Sequence, residues 1–416
     1  MKTYDIAIIG GGSAGLASAV AAYDRGIRSI IVIEKEKFLG GILLQCIHNG
    51  FGLHTFKEEL TGPQYASRWE EEIRKRKEIE IHLESTVVTI TKDKEIHYSS
   101  TKEGYVVIKA NTIISATGCL ERSAGAIGTP GDRPSGIFQA GLAQKYLNID
   151  GLLVGKKVFI LGSGDIGLIM ARRMTLEGAK VLGVAELMPY SNGLNRNIVQ
   201  CLNDFNIPLF LSHTVKKVEG KNRLKRVTIC QVDSKMQYIE GTEKEFDVDT
   251  LLLSVGLIPC NPLLVNMGVE IDQKTKGPVV DESLQTSIPG IFACGNSLHV
   301  HDLVDFVSLE GTKAGNSAAN YLLKGLDNSS YINIVNRNFV GYTMPRKVNM
   351  NNVDELAISF RVTKPFKSSV INVYQGKELI KSFKKPYLLP AEMETIKIKK
   401  DLIKNKEDIY VEVVDA

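Results

Sequence analysis

Residues 5–34 read DIAIIGGGSAGLASAVAAYDRGIRSIIVIE: an apolar strand, a glycine turn, a helix of small residues, a second apolar strand and an acid. The turn carries Gly10, Gly12 and Gly15. In such a turn the first glycine lets the strand bend sharply into the helix. The second has no side chain, so phosphates can approach the backbone N–H groups and the positive helix end. The third lets the helix lie close on the sheet. Ala14, Ala17, Ala19, Ala21 and Ala22 suit that close packing. Glu34 ends the second strand, where a carboxylate accepts hydrogen bonds from the hydroxyls of an adenosine ribose.

A lone motif of this kind is weak, but the chain holds two. Residues 157–186, KVFILGSGDIGLIMARRMTLEGAKVLGVAE, repeat the order with Gly162, Gly164 and Gly167 in the turn and Glu186 at the end of the strand. Each copy follows a strand, opens a helix and closes on an acid at the same spacing, which predicts two dinucleotide sites. In the second site a carboxylate repels a 2′-phosphate. Glu186 is followed by Leu187, Met188, Pro189 and Tyr190 rather than an arginine, so NADH is expected over NADPH.

Outward from these two units, 416 residues are too many for one ordinary domain. A net charge of +4 is too small to argue for nucleic acid. Cys46, Cys119, Cys201, Cys230, Cys260 and Cys294 are widely spaced and form no CxxC, which fits neither a zinc site nor a secreted disulfide framework. With an opening strand in place of a signal peptide and no apolar run of about 18 residues, the expected location is the cytoplasm. No Ser-His-Asp arrangement or P-loop sequence is apparent.

Between the two copies, Pro63 predicts a helix start, and short strands are expected in 79–91, 95–98 and 105–116. The Gly/Pro-rich stretch 123–136 reads as a crossing linker. A helix is expected over about 303–323. From 338 the texture changes to short strands at 356–362, 369–374, 379–383, 393–399 and 409–414, with a hairpin turn at Gln375-Gly376-Lys377, which reads as a small β-sandwich. Residues 361–406 hold twelve Lys/Arg against four Asp/Glu. That excess reads first as a solvated surface that discourages edge pairing, and second as a docking face for an acidic partner.

The two motifs, with Ala116-Thr117-Gly118 after a strand and Gly290–Asn296 near the end, resemble the FAD-dependent pyridine-nucleotide-disulfide oxidoreductase superfamily over about residues 1–330. The resemblance implies two Rossmann-like α/β dinucleotide-binding domains of the glutathione-reductase kind. FAD would lie in a discontinuous domain (1–120 and 285–335) and NAD(H) in 121–284, with a small all-β domain in 338–416. It implies FAD contacts from Gly10, Gly12, Ser13, Ala14, Gly15, Glu34, Lys35, Gly41, Ile42, Val87, Ala116, Thr117, Gly118, Gly295 and Asn296. The NAD(H) contacts would be Gly162, Gly164, Asp165, Ile166, Gly167, Glu186 and Gly256. Asn296 stands where the superfamily has an Asp that bonds the flavin ribityl chain; it keeps an acceptor oxygen and adds a donor. The dithiol of the disulfide reductases is missing, since only Cys46 follows Gly40-Gly41.

Residues 40–68, 162–181 and 293–305 are similar to the flavoprotein encoded beside bacterial glycerol phosphate dehydrogenases. That likeness implies electron passage between NAD(H), FAD and a partner that oxidises glycerol 3-phosphate. An NADH oxidase using O2 or peroxide and a non-catalytic flavin-bearing interaction module are the alternatives. Cys46 is the candidate catalytic thiol for a peroxide cycle, against inert packing as the commoner role of a buried cysteine. His299, His301, Asp302 and Asp305 form a polar cluster in which Asp302 or Asp305 is expected to cap the next helix; a metal is not expected.

Overall fold

Strand Lys2–Ile9 lies at the centre of a parallel sheet because both of its faces are covered, and from Ile6 to Ile9 every residue is buried. Ile30–Ile33 pairs with it on one side and Gly104–Ser115 on the other. Ile79–His82 and Ile291–Ala293 extend the parallel part outward, and the antiparallel strands Ser85–Ile90 and Glu95–Ser100 complete the sheet. Helix Ser13–Asp24 packs along helix Val304–Lys324. A Cβ on Gly311 would stand 2.2 Å from the Ala14 carbonyl oxygen, and one on Gly315 2.1 Å from that of Ser18. The small residues of both helices therefore allow backbone-to-backbone contact.

The computed structural model describes residues 1–325 and 330–416. They divide into one unit of Met1–Cys119 with Pro259–Ala416 and a second of Leu120–Ile258. The second unit ends well before the expected boundary at 284. Leu264, Met267, Val269, Val280 and Leu284 are buried in the core of the first unit, which draws that segment out of the second. Of the expected segment 285–335, residues 326–329 lie outside the described residues.

In the second unit five parallel strands run in the order Ile137–Gln139, Thr250–Leu253, Lys157–Leu161, Lys180–Glu186, Leu209–Leu211. Alternate side chains of Lys157–Leu161 serve two cores. Val158 and Ile160 meet helices Ala140–Asn148 and Asp165–Leu176, while Phe159 and Leu161 meet the antiparallel meander His213–Gly220, Leu224–Gln231, Lys244–Asp247. The stretch 123–136 is no free linker. Gly131 and Ser135 bridge to Val218 and Arg223, and a Cβ on Gly131 would stand 2.2 Å from the Val218 oxygen.

The C-terminal strands form two sheets around a shared core that includes Ile358, Phe360, Ile371 and Val411. One sheet contains Lys347–Val348, Ile332–Asn336, Ile409–Asp415, Ser369–Gln375 and Glu378–Lys385; the other contains Val340–Met344, Glu355–Val362 and Glu394–Lys399. The β region starts before 338, because Ile332–Asn336 pairs in parallel with Ile409–Asp415. Gln375 pairs with Glu378 across a turn in which Gly376 has φ +58°, the left-handed conformation that a two-residue hairpin loop requires.

Candidate functional site

The first glycine turn is shaped by contacts that no side chain can enter. Gly10 has φ +109°, and a Cβ there would lie 2.4 Å from the Ala116 oxygen; one on Gly15 would lie 1.9 Å from the Gly10 oxygen. In front of Gly12 the space is open, with nothing within 4 Å of its added Cβ. Helix Ser13–Asp24 begins there without a capping side chain or an acid in its first turn. An uncapped helix N-terminus facing open space fits a phosphate. Glu34 is buried, and its carboxylate accepts the Gly11 N–H at 2.6 Å and the Glu36 N–H at 2.9 Å.

Three further segments border this turn. Gly40 donates its N–H to the Gly11 oxygen at 2.8 Å, and a Cβ on Gly41 would stand 3.3 Å from Gly12 Cα. Ala116 donates to the Ile9 oxygen; the Thr117 hydroxyl and the Gly118 oxygen both bond the Cys260 backbone. Gly295 has φ +68° and sits against Ala14, donating its N–H to Glu310 Oε2 at 2.6 Å. Asn296 Oδ1 accepts the His301 N–H at 3.0 Å. No hydrogen-bond acceptor among the described residues takes the Asn296 NH2. Lys35 and Ile42 are exposed, and Val87 packs half-buried on the core.

The second turn repeats the first at the level of atoms. Gly162 has φ +97°, and its Cβ would lie 2.0 Å from the Ser254 oxygen. Glu186 accepts the Ser163 N–H at 2.9 Å and the Met188 N–H at 2.9 Å, as Glu34 accepts Gly11 and Glu36; Ser163 Oγ adds a third bond at 2.6 Å. Helix Asp165–Leu176 has no capping side chain, and Ser254 Oγ receives the Gly167 N–H at 3.1 Å. The Asp165 carboxylate is occupied elsewhere, accepting from Leu194 N and Asn197 Nδ2. Ile166 packs on the helix-side core, and Gly256 is exposed with φ +100°. Ser163 and Ser254 fall outside the sequence-predicted set; a hydroxyl beside a glycine turn is the only signal either gives in the sequence.

Cys46 lies under the start of helix Gly62–Arg74, where a Cβ on Gly62 would meet its backbone oxygen at 2.5 Å. Burial pushes its thiol up to about 12. At neutral pH it is therefore a thiol, which is a poor nucleophile. All six cysteines are free of disulfides.

The polar cluster after Asn296 differs from expectation. Neither Asp302 nor Asp305 caps helix Val304–Lys324, whose N-cap is Leu303. Asp305 instead accepts the N–H groups of Gly52 and Thr55, because those loop donors come from a segment far away in sequence. Asp302 is taken by Arg361 and by the Met393 N–H. At the centre is Glu310, which no motif in the sequence marks. Its two oxygens accept from His299 Nε2 and His301 Nε2, both at 3.0 Å. Burial alone would push its carboxyl up, but the two imidazoles and their hydrogen bonds outweigh burial and hold it well below the usual carboxylate range. Burial holds His299 below its ordinary value. The ligand atoms of His299, His301 and Glu310 lie within 4.8 Å of one another; both Nε2 atoms and both carboxylate oxygens are engaged in hydrogen bonds, while His301 Nδ1 is buried without a partner. An acid beside the small-residue stripe Ser308, Gly311, Ala314, Gly315 was the available signal.

Among the described residues no helix is long and apolar enough to cross a membrane. The model of the family described as pyridine nucleotide-disulphide oxidoreductase matches residues 4–308. An NADH oxidase of Methanocaldococcus jannaschii is 27% identical over 322 residues, covering 73% of this chain and 65% of that protein. An NADH dehydrogenase of Bacillus subtilis is 24% identical over 333 residues, covering 78% and 59%. The chain thus spans less than two thirds of the length of these curated relatives. Thioredoxin reductase of T. acidophilum superposes with a TM-score of 0.62 at 23% identity, over 78% of this chain and 100% of that one, a likeness of fold.

Proposed function

The chain belongs to the pyridine nucleotide-disulphide oxidoreductase family, and from that premise we propose that it is an FAD-dependent NAD(H) oxidoreductase with one dinucleotide on each glycine turn. The observation that carries this reading is the repeated atomic pattern. Glu34 and Glu186 each hold the N–H after the first glycine and the N–H two residues beyond the acid. Each carboxylate keeps lone-pair capacity for a ribose hydroxyl, on both oxygens of Glu34 and on Oε1 of Glu186.

FAD would be held by the backbone of Gly10–Gly15, by Glu34, by Gly41 and Ala116–Gly118, and by Gly295-Asn296, with the Asn296 NH2 as a donor. NAD(H) would be held by Gly162–Gly167 and Glu186, with Asp165 contributing through its backbone. The bound pair supplies hydride transfer between nicotinamide and flavin, and the protein binds, orients and shields it. Electrons would then pass to or from a partner of the glycerol phosphate dehydrogenase kind in the cytoplasm. The sequence likeness in 40–68, 162–181 and 293–305 supports that partner.

The NADH oxidase alternative is favoured by the name of one relative. A thiol-dependent peroxide cycle finds no support at Cys46, which burial keeps protonated. Cys46→Ser is expected to leave the rate of flavin reduction by NADH, and reoxidation by peroxide, within about twofold of wild type. A drop of tenfold or more in peroxide turnover, followed by stopped-flow absorbance, would restore the thiol reading.

Cofactor choice tests the second site. Glu186→Ala removes a carboxylate and frees the Ser163 N–H and hydroxyl, donors suited to a phosphate. The kcat/KM preference for NADH over NADPH should fall by about tenfold or more, roughly 1.4 kcal/mol. An unchanged preference would remove Glu186 from the ribose site. For the partner, glycerol 3-phosphate should reduce NAD+ only when the co-purified dehydrogenase is present; no stimulation by that dehydrogenase would sink the partner assignment.

A further inference from the structure

The family match ends at residue 308, yet the segment that follows Asn296 is held by residues far beyond it. Strand Ile291–Ala293 leads into Gly295-Asn296, and residues 297–303 then connect to helix Val304–Lys324. Arg361, on the C-terminal strand Glu355–Val362, reaches this connection. Its guanidinium donates to the Val300 oxygen at 3.0 Å, to the Asp302 carboxylate, and to the Ala391 oxygen of its own β region. Asp302 Oδ2 takes the Met393 N–H at 2.7 Å. The Arg361 and Asp302 side chains are only 20% and 23% exposed, so this ion pair is largely shielded from water.

Val300 and Asp302 flank His301, and the His301 N–H fixes Asn296 Oδ1 at 3.0 Å. The side chain of His301 meanwhile bonds Glu310, which holds the Gly295 N–H. Arg361 therefore grips the chain on both sides of the residue that orients Asn296. Other ties hold the same β region to the flavin unit. Tyr342 approaches His299 Nδ1 at 3.5 Å, Glu282 accepts from Asn349 N and Asn352 Nδ2, and Arg346 donates its N–H to the Val280 oxygen.

We propose that the C-terminal β region is a built-in positioning element of the FAD site, and that Arg361 is the positioning residue, acting through His301 on Asn296. The proposal rests on the reading of Gly295-Asn296 as part of that site. It makes the β region more than a detachable docking module: loss of Arg361 releases the Asn296 donor from its fixed direction, although Arg361 itself touches no cofactor.

The test uses the full chain stripped of flavin and titrated with FAD, following quenching of flavin fluorescence and the visible circular dichroism of the bound flavin. Arg361→Met keeps length and removes the donors; Arg361→Lys keeps a charge beside Asp302 but lacks the fork that spans two acceptors. The FAD Kd is expected to rise about tenfold for Arg361→Met, with a changed visible dichroism, and by an intermediate factor for Arg361→Lys. A double-mutant cycle separates this from general loosening of the fold. In an Asn296→Ala background Arg361→Met should raise Kd by no more than about twofold, because the two act in series. Equal Kd and equal dichroism in wild type and Arg361→Met would overturn the proposal, and so would fully multiplicative effects in the cycle. If wild type itself binds no FAD, the cofactor reading fails as well, an outcome distinct from either of these.

Discussion

Gly162→Ala is expected to give a protein that still carries FAD but is no longer reduced by NADH, whereas Gly10→Ala gives one that no longer retains FAD. Both glycines have φ near +100°, where an L side chain is strained by roughly 1–3 kcal/mol. Strain alone does not decide the outcome. A Cβ on Gly162 would stand 2.0 Å from the Ser254 oxygen, and one on Gly10 2.4 Å from the Ala116 oxygen. Both are backbone atoms of neighbouring strands or their ends, so relief requires the turn itself to shift. In the first unit Gly10 also supplies the carbonyl beside which Gly15 packs, so a shift carries the helix end with it. A loss of about 3 kcal/mol in nucleotide binding corresponds to about 100-fold in Kd. The two variants are read by flavin absorbance of the purified protein and by anaerobic reduction with NADH. The crossed pattern decides between assignments: if Gly162→Ala released the flavin, or if Gly10→Ala kept it, the assignment of cofactors to turns would be wrong.

The second large effect is expected at Glu310. Glu310→Ala removes the acceptor of the Gly295 N–H and of both His299 and His301, leaving three buried donors without their partner. Breaking a buried charged network by removing one member costs about 3–5 kcal/mol, and the denaturant midpoint of unfolding should fall accordingly. The pH dependence has a definite sign. The Glu310 carboxyl is held below its unfolded value, so its contribution is present above about pH 4.3 and is lost as pH falls. His299 is also held below its unfolded value of about 6.5, so protonating it on acidification disfavours the fold. Both act in the same direction: wild type loses stability below about pH 6.5 and more steeply below about pH 4.3. Glu310→Ala should be less stable at neutral pH and should lack the further loss that Glu310 protonation brings below about pH 4.3. A variant within about 1 kcal/mol of wild type at pH 7 would show that the network carries little stability.

The glycine turns were legible in the sequence because the backbone there tolerates one residue type. Gly10, Gly15 and Gly162 are fixed by positive φ or by contact with a carbonyl, and those demands show in one dimension. The terminal acids were legible because each closes a buried strand at a set distance from its turn. The alternation of Glu355–Val362, buried at every second position, was legible for the same reason of local period. Arg361, Glu310 and Ser254 were not. Arg361 meets a loop 59 positions away, and nothing local to either partner records the meeting. The domain boundary at Ile258 was missed because residues 259–284 are held in the first unit by long-range burial of Leu264, Met267 and Val280, while their local pattern is neutral. Asp165 looked like a site residue by position, yet its carboxylate serves the backbone and side chain of residues around the next helix. Spacing along the chain identified the turns; the side chains that brace them depend on tertiary contacts.

The central claim, that one chain holds FAD and NAD(H) for exchange of electrons, is tested most directly by anaerobic titration of the FAD-loaded protein with NADH and, separately, NADPH. Bleaching of the flavin band by near-stoichiometric NADH, with NADPH far less effective, is the predicted result. A flavin band that neither nucleotide changes, in a sample whose flavin dithionite reduces fully, would contradict the account.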